Sequence, residues 1–335
     1  MIGSRRTIRA GWSIGLALTV ASAFSGSAVM GQSADPTTCP EPAGEPIEVG
    51  AMVWNTAISF YSNFIKGQEE AAACYGVNLD LQNGNGDLAT EVAVIQQFIA
   101  QGKDAIIVTP SDVEGIVPAI IEANNAGIPV FAANNRVGEG AEVVSFVGAN
   151  DVEFGRRQGE MLVNAVGEEA KVGLIYGALG TSAQLLREQG LTEYLADHPG
   201  IQIIEKQTAN WDGAEALALT QDWLSKYGPG EITAIVDQGP EGVSAAQWAA
   251  QNDRSDVVFL LGDYPYDVKV AISEGTVAGT VDQDPYPQGY EAVQYAYYWL
   301  TDQQDLVEQP DHFLPLPIVT AENVDDYAAA WGTPE

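Results

Sequence analysis

Aromatic and polar side chains recur at the points where the predicted strands of this chain end. They comprise aromatic rings, amides, one arginine and carboxylates. A sugar or polyol hydroxyl both donates and accepts hydrogen bonds, so amide, guanidinium and carboxylate groups can each bind it. Aromatic faces pack on the C–H patches of a sugar ring. These residue types predict a site for a small neutral polyhydroxylated ligand. The candidate binding residues are Phe60, Tyr61, Asn134, Asn135, Arg187, Trp211, Gln238, Asp263 and Gln283.

The patterns that would indicate an enzyme are weak in this sequence. The segment Gly84–Gly86 lacks the third glycine of a dinucleotide-binding loop. Asp282 and Asp284 have the residue types of a glycosidase pair, but neighbouring acids at the end of a strand in a binding site explain them more simply. His198 and His312 have no nucleophile close to them in the sequence. We therefore expect a binding protein with no enzymatic activity, no cofactor and no metal.

The candidate residues are separated by alternating strand and helix patterns. Ile47–Trp54 and Ala105–Val108 are short apolar runs, and Phe60–Tyr75 and Leu88–Gln101 carry apolar residues at helical spacing. Continuous apolar strands between helices are typical of a parallel sheet that is covered on both faces. About ten such units predict an α/β fold of two doubly wound parallel-sheet lobes. Ligands of such sheets bind beyond the carboxyl ends of the strands, where the candidate residues fall.

The charge of the chain excludes several classes of partner. Its 335 residues hold 14 Lys and Arg against 46 Asp and Glu, a formal net charge of −32. Nucleic acids and anionic lipids bind through clustered basic residues, so we expect no nucleic-acid partner. Hydrophobic residues make up 46% of the chain, which is normal for a packed protein rather than a disordered acidic one.

The N-terminal segment has the features of an export signal. Met1–Ala34 contains no acidic residue, and three arginines between positions 5 and 9 precede the apolar stretch Ile14–Phe24. We predict a signal peptide over residues 1–31, cleaved near Gly31, and a leader segment over 32–46. An uncleaved membrane anchor is the alternative, and the general secretory and twin-arginine routes both stay open.

Export permits a disulfide between the only two cysteines of the sequence. Cys39 precedes the first predicted strand, and Cys74 lies near the end of the first predicted helix. The start of a strand and the end of the helix that follows it lie on the same side of a sheet. We therefore predict a Cys39–Cys74 bridge, with two unpaired thiols as the alternative.

Several segments together resemble the periplasmic sugar-binding proteins of the ribose and galactose class. The similarity extends from about Glu48 to about Thr301 and is specific for this group but weak for the sugar. It implies a type I periplasmic binding protein, located in the periplasm, that delivers its ligand to the membrane permease of an ABC transporter as a monomer. A protein that presents its ligand to a chemoreceptor or sensor kinase is the alternative. The segments are Gly86–Leu88, Gln96–Asp112, Ala126–Val130 and Gly180–Ala183 with Arg187 and Gly190.

The resemblance also implies individual roles. Phe60 and Tyr61 look like the aromatic pair on one face of the sugar, and Trp211 like the aromatic residue on the other. Arg187 resembles the arginine that binds the ring or anomeric oxygen, and Asp263 the aspartate that accepts from two hydroxyls.

The resemblance also implies roles for the amide side chains. Gln283 resembles an amide at the hinge between the lobes. Asn134 and Asn135 fall where ribose binders carry Asp-Arg and galactose binders begin with Asn. Gln238 is a candidate because it adjoins Gly239.

Three positions depart from the family pattern. Ile58 replaces a polar ligand residue, Gly239 falls where the family usually has Asn, and an Arg is displaced by one position to Arg136. These departures favour a ligand other than ribose, glucose or galactose, such as a deoxysugar, a smaller polyol or a less polar compound.

The family fold also implies where the lobes divide. We expect an N-terminal lobe of residues 47–148 and 284–310 and a C-terminal lobe of residues 149–283 and 311–335. The three crossings are expected near Gly148–Asn150, Gln283–Pro285 and Gln309–Leu314. Ligand binding between the lobes would then stabilise the closed form.

Overall fold

The computed structural model describes residues 39–40, 44 and 46–332. The predicted signal peptide, its cleavage near Gly31 and most of the leader lie outside these residues. Cys39 and Cys74 are both disulfide-bonded, in agreement with the predicted bridge. The elements that follow all belong to one unit, residues 40–335. Within the described residues, no helix is long and apolar enough to cross a membrane.

Strands and helices alternate through most of the described chain, as the sequence predicted. A short 3₁₀ helix at Gln304–Leu306 follows the last α-helix. The elements are β1 (Ile47–Val53), α1 (Phe60–Tyr75), β2 (Val77–Asn83), α2 (Leu88–Gln101), β3 (Ala105–Val108), α3 (Val117–Asn125), β4 (Val130–Ala133), β5 (Phe146–Gly148), α4 (Asp151–Val166), β6 (Ala170–Tyr176), α5 (Ser182–Leu195), β7 (Ile201–Thr208), α6 (Gly213–Lys226), β8 (Ala234–Asp237), α7 (Val243–Gln251), β9 (Val258–Gly262), α8 (Tyr266–Ser273), β10 (Gly279–Val281), α9 (Pro285–Leu300), β11 (Asp311–Phe313) and β12 (Ile318–Thr320).

The strands form two six-stranded sheets. The first has the order β11-β5-β4-β3-β1-β2 and the second the order β12-β10-β9-β8-β6-β7. Helices α1, α2, α3 and α9 pack with the first sheet, which makes the N-lobe, and α4 to α8 pack with the second, which makes the C-lobe. Apolar cores fill both faces of each sheet. The fold is the predicted α/β arrangement of two doubly wound lobes.

The edge strand β12 is an exception to the parallel arrangement. It pairs antiparallel with β10, whereas the other strand pairs are parallel. The chain reaches β12 from the N-lobe through a connection of only a few residues. A parallel strand would require a crossover of a dozen or more residues to return to the far end of the sheet.

The third crossing lies slightly later than we predicted. Residues 311–313 form β11, which pairs with β5 in the N-lobe sheet, rather than beginning the C-lobe segment. The lobe boundary expected at residue 310 is therefore wrong by a few residues, and the chain crosses at 314–317. A strand of three residues carries no apolar run or alternation by which the sequence could reveal it.

Two glycines bring α4 and α5 of the C-lobe close together. A Cβ atom on Gly155 would overlap the backbone carbonyl of Arg187, and one on Gly190 would overlap that of Val152. The absence of these side chains allows the two helix backbones to touch. As a result, the N-terminus of α4 lies against the side chain of Arg187.

Candidate ligand-binding site

A cavity lies between the two lobes, at the carboxyl ends of both sheets. Its empty volume, including the space at its open mouth, is about 490 Å³. Every predicted binding residue except Gln238 lines it. The described lining residues are Trp54, Ile58, Ser59, Phe60, Tyr61, Asn134, Asn135, Ala183, Arg187, Trp211, Pro240, Glu241, Asp263, Gln283 and Trp331.

Gln238 lies behind the wall instead. Its side-chain oxygen accepts from the backbone N–H of Gly177 at 3.1 Å, and its Nε2 donates to the carbonyl of Gln184 at 2.9 Å. Both ends of the amide are therefore engaged with the backbone. The carbonyl oxygen of Gln238 accepts from Arg187 at 2.7 Å, so this residue positions the arginine.

Three of the lining residues have a left-handed backbone. Asn134 follows β4 with φ 59°, Trp211 follows β7 with φ 60°, and Asp263 follows β9 with φ 60°. This conformation is unfavourable for residues other than glycine and persists only where the surrounding structure imposes it. The sharp turn after each strand directs these residues toward the cavity.

A chain of hydrogen bonds connects the two lobes along the floor of the cavity. The Tyr61 hydroxyl donates to Oδ1 of Asn134 at 2.9 Å, and Nδ2 of Asn134 donates to Oε1 of Gln288 at 3.1 Å. Nε2 of Gln288 donates to Gln283 at 3.1 Å, and Nε2 of Gln283 donates to Asp263 at 2.9 Å. These side chains are held in fixed orientations, as a preformed binding site requires.

Arg187 is fixed from several sides in the C-lobe. Only 2% of its surface is exposed, and its Nε donates to Asp151 at 2.9 Å. Its guanidinium lies 3.7 Å from the centroid of the Phe154 ring, and Nη1 lies 3.7 Å from Oδ1 of Asp263. The arginine is thus stacked and paired in one orientation beside the cavity.

The aromatic walls come from both lobes. Phe60 and Trp331 meet edge to face with 5.3 Å between ring centroids. On the C-lobe side, the Trp211 ring lies against Gly177, where a Cβ atom would overlap it. Phe60 and Trp211 therefore provide apolar surfaces on either side of the polar groups.

Carboxyl groups around the cavity have raised pKa values. Burial raises the pKa of Asp263 to about 6, although Arg187 opposes the shift. Burial also raises the pKa of Asp237 to about 8 and that of Asp282 to about 7. Their desolvation disfavours the charged form, so Asp237 keeps its proton near neutral pH and can donate a hydrogen bond, whereas Asp263 is mostly ionised there.

The two acids considered as a glycosidase pair, Asp282 and Asp284, are not part of the cavity wall. Asp284 is the N-cap of α9, where its side chain accepts from the backbone N–H of Tyr286. A capping carboxylate is engaged with the helix, and neither Asp282 nor Asp284 lines the cavity. Within the described residues, no group of three or more His, Cys, Asp or Glu is arranged to hold a metal ion.

Sequence comparison decides the family. The periplasmic binding protein domain matches residues 49–304, which is more than half of the chain. The chain belongs to this family.

Curated relatives of this periplasmic binding protein include two that are named for their ligands. A xylitol-binding protein of Mycolicibacterium smegmatis is 28% identical over 278 residues, 83% of this chain and 78% of the relative. The ribose import binding protein RbsB of Escherichia coli K12 is 29% identical over 238 residues, 71% of this chain and 79% of the relative. Each is a binding protein rather than an enzyme.

Solved structures give the same result for the fold. An ABC transporter solute binding protein from Bacillus halodurans C-125 with bound myo-inositol has a TM-score of 0.78 and 27% identity. The match covers 85% of this chain and 99% of that one. One from Agrobacterium vitis, bound with α-D-tagatopyranose, has a TM-score of 0.76 and 26% identity, and the match covers 85% and 98% of the two chains.

The three departures from the family pattern differ in their consequences. Ile58 lines the cavity, so an apolar group stands at that point of the wall. Arg136 lies elsewhere, because its Nη1 pairs with Asp311 at 2.8 Å and its guanidinium stacks on Phe146 at 4.1 Å. Gly239 leaves space that Glu241 fills.

The site includes residues that were not among the predicted ones, three of which are Glu241, Trp331 and Gln288. Glu241 and Trp331 line the cavity, and Gln288 belongs to the chain of hydrogen bonds along its floor. Glu241 follows a strand end by four residues, so its position could have been a signal. Trp331 lies far along the chain from any predicted strand end, and Gln288 lies inside α9, so only the tertiary fold brings them here.

Proposed function

We propose that this protein is a periplasmic solute-binding protein that captures a sugar or polyol between its lobes and delivers it to an ABC-type permease. The observation that carries the proposal is the cavity between the lobes. Aromatic surfaces of Phe60 and Trp211 flank amides, Arg187 and Asp263 there, a combination suited to a hydroxylated ring. The relatives' sugar and polyol ligands support the same class.

The mechanism is hinge closure around the ligand. The two lobes already contact one another across the cavity mouth, where the N–H of Val113 donates to the carbonyl of Gly180 at 3.3 Å and that of Arg136 to Oγ of Ser182 at 2.8 Å. A ligand that bridges both walls adds contacts available only in the closed form. It therefore shifts the population toward that form by its differential affinity.

The roles of the wall residues in this proposal follow the geometry. Phe60 and Trp211 pack on the faces of the ligand, and Asp263 and Arg187 bind its hydroxyl or ring oxygens. Asn135 and Gln283 supply further amide contacts. The protein performs no chemistry, and export by the N-terminal segment places it in the periplasm.

A thermal-shift screen with pentoses, hexoses, deoxysugars and polyols tests the proposal. A ligand that binds only the folded protein raises the melting temperature by mass action, and 100-fold excess over Kd corresponds to about 2.7 kcal/mol. Trp211→Ala should abolish the shift. No shift with any compound would refute the ligand class, and hydrolysis of a glycoside by the purified protein would refute the binding role.

A further inference from the structure

Glu241 occupies the space that a side chain at position 239 would need. A Cβ atom on Gly239 would collide with Oε2 of Glu241 and would lie 2.8 Å from the ring of Trp211. The carboxyl group of Glu241 therefore reaches the cavity wall beside this ring. A polar group stands at this point although residue 239 provides none.

Oε2 of Glu241 is buried and has no hydrogen-bond partner among the described residues. An unsatisfied buried polar group costs about 1–3 kcal/mol, so each one in a native structure calls for an explanation. Asp263 accepts from Gln283 and Asn134 accepts from Tyr61, whereas Nε1 of Trp54 on the same wall is also buried without a partner among the described residues. Oε2 is therefore available to a ligand in the cavity.

The charged groups that face Glu241 favour its neutral form. Asp237 at the end of β8 and Asp263 after β9 are both acidic, and Arg187 is the only cation among the described lining residues. Arg187 is already paired with Asp151 at 2.9 Å and approaches Asp263. A buried carboxyl with acidic neighbours and no cation of its own retains its proton. Burial first, and then Asp237, raise the pKa of Glu241 well above its usual value.

We propose that Glu241 is a specificity-determining contact of this cavity and that its protonated carboxyl group both donates to and accepts from a ligand hydroxyl. The inference rests on the proposed function, because it adds a contact to the same site. A carboxylic acid offers one donor and one acceptor, as the amide of an asparagine would. Glu241 thus replaces the side chain that is absent at position 239. Once ionised, it can only accept, and one hydrogen bond to the hydroxyl is lost.

Calorimetric titration of the wild type with myo-inositol, xylitol and D-ribose between about pH 6 and pH 9.5 measures this effect. The affinity should fall as Glu241 ionises, and Glu241→Ala should bind at least about tenfold more weakly than the wild type at pH 6.5, which is about 1.4 kcal/mol. Glu241→Gln should bind more tightly than Glu241→Ala and lose the alkaline fall due to Glu241. The control Glu169→Gln makes the same substitution at an exposed glutamate beside the far end of β6 and should match the wild type.

Other acids of the site titrate in the same range, namely Asp237, Asp263 and Asp282. All three remain in Glu241→Gln, so the difference between its pH profile and that of the wild type reports the titration of Glu241 together with its interaction with Asp237. An affinity that rises with pH in the wild type but not in Glu241→Gln would overturn the proposal, because the ionised form would then be the one that binds.

A double variant tests the exchange between the two positions. Gly239→Asn alone should weaken binding, because the new side chain collides with Glu241. Gly239→Asn combined with Glu241→Ala removes this collision and leaves only the close approach of the new side chain to the Trp211 ring, so the double variant should bind more tightly than Gly239→Asn alone. Equal binding by these two variants would contradict the exchange.

Infrared difference spectroscopy separates this inference from the proposed function. At pH 7 the wild type should show the C=O band of a protonated carboxyl group that Glu241→Gln lacks, whether or not a probe is bound. If the band is present but none of the three probes binds, Glu241 is protonated as inferred, and the proposed function is contradicted for these three ligands. Absence of the band, or wild-type affinity in Glu241→Ala, overturns the inference.

Discussion

Nε2 of Gln288 donates to Oε1 of Gln283 at 3.1 Å, and this hydrogen bond joins the polar groups of the two lobes. Gln288 lies on α9 of the N-lobe and accepts from Asn134, whereas Gln283 lies at the second crossing and donates to Asp263. Because each amide accepts on one side and donates on the other, one set of orientations satisfies the whole chain. The contact therefore aligns binding residues of both lobes through the hinge.

Gln288→Leu should weaken ligand binding as well as stability. Asn134 would lose its acceptor and Gln283 its donor, and each unsatisfied buried group costs about 1–3 kcal/mol. We expect a lower melting temperature and at least about tenfold weaker binding of the sugar or polyol found in the screen, since 1.4 kcal/mol corresponds to tenfold. Gln294→Leu is the matched control on the same helix. It loses hydrogen bonds to Tyr75 and Tyr298 but should retain the ligand affinity. Equal losses of affinity in both variants would contradict a specific role for Gln288.

Asp151→Ala should be strongly destabilising. Arg187 and Asp151 are 2% and 1% exposed at the side chain, so the variant leaves a buried guanidinium without its partner. Breaking a buried pair in this way costs about 3–5 kcal/mol. Denaturant unfolding measures the loss. Glu153→Ala on the same helix removes the half-exposed partner of Arg156 and should cost no more than about 1 kcal/mol. A loss of only about 1 kcal/mol for Asp151→Ala would show that Arg187 finds another partner.

Asp263→Asn should change the pH dependence of stability. Burial raises the pKa of Asp263 from 3.8 to about 6, so between these values the native state holds a proton that the unfolded chain has released. Raising the pH through this window therefore destabilises the wild type, by about 3 kcal/mol at the upper end. Asparagine does not titrate and keeps an oxygen for Gln283.

Melting curves of both proteins without ligand provide the measurement. The melting temperature of Asp263→Asn relative to the wild type should rise between pH 4 and pH 7. Exposed Asp212→Asn, which caps α6, is a control that should show no such rise. A constant difference across the window would mean that the pKa of Asp263 is not raised by folding.

Much of the site follows from the sequence because parallel sheets place ligands at one edge. Asn134 and Asp263 could be predicted since each comes directly after an apolar strand, Trp211 because it follows the end of β7 by three residues, and Arg187 because its segment resembles the ribose class. Gln238 also follows a strand, but the direction of its side chain depends on the turn, and the turn directs it to the backbone of Gly177.

The remaining parts depend on contacts between distant segments. Gln288 reaches the site only because α9 returns to the N-lobe after the second crossing. The three-residue strand β11 is defined by its pairing with Phe146–Gly148 rather than by its own pattern. Glu241 occupies the space left by the missing side chain of Gly239, so its closeness to a strand end alone does not show that its carboxyl group reaches the cavity.

The C-terminal segment around Trp331 forms a further link between the lobes. The N–H of Ala330 donates to the carbonyl of Tyr264 at 3.0 Å in the C-lobe, and Nδ2 of Asn63 on α1 donates to the carbonyl of Ala330. Trp331 itself is only 6% exposed, packs on Phe60 and lines the cavity. The segment is thus attached to both lobes when they are closed around the cavity.

Trp331→Ala should therefore accelerate ligand release. The variant removes one aromatic wall and the edge-to-face contact with Phe60, which contributes about 0.5–1.5 kcal/mol beyond its buried area. Because these contacts form across the two lobes, their loss should act on the closed form and raise the dissociation rate more than it lowers the association rate. Stopped-flow fluorescence with the screened sugar or polyol measures both rates. Trp248→Ala, in a half-buried position on α7 away from the cavity, is the control and should leave both rates unchanged. If Trp331→Ala releases the ligand at the rate of the wild type, Trp331 does not stabilise the closed form.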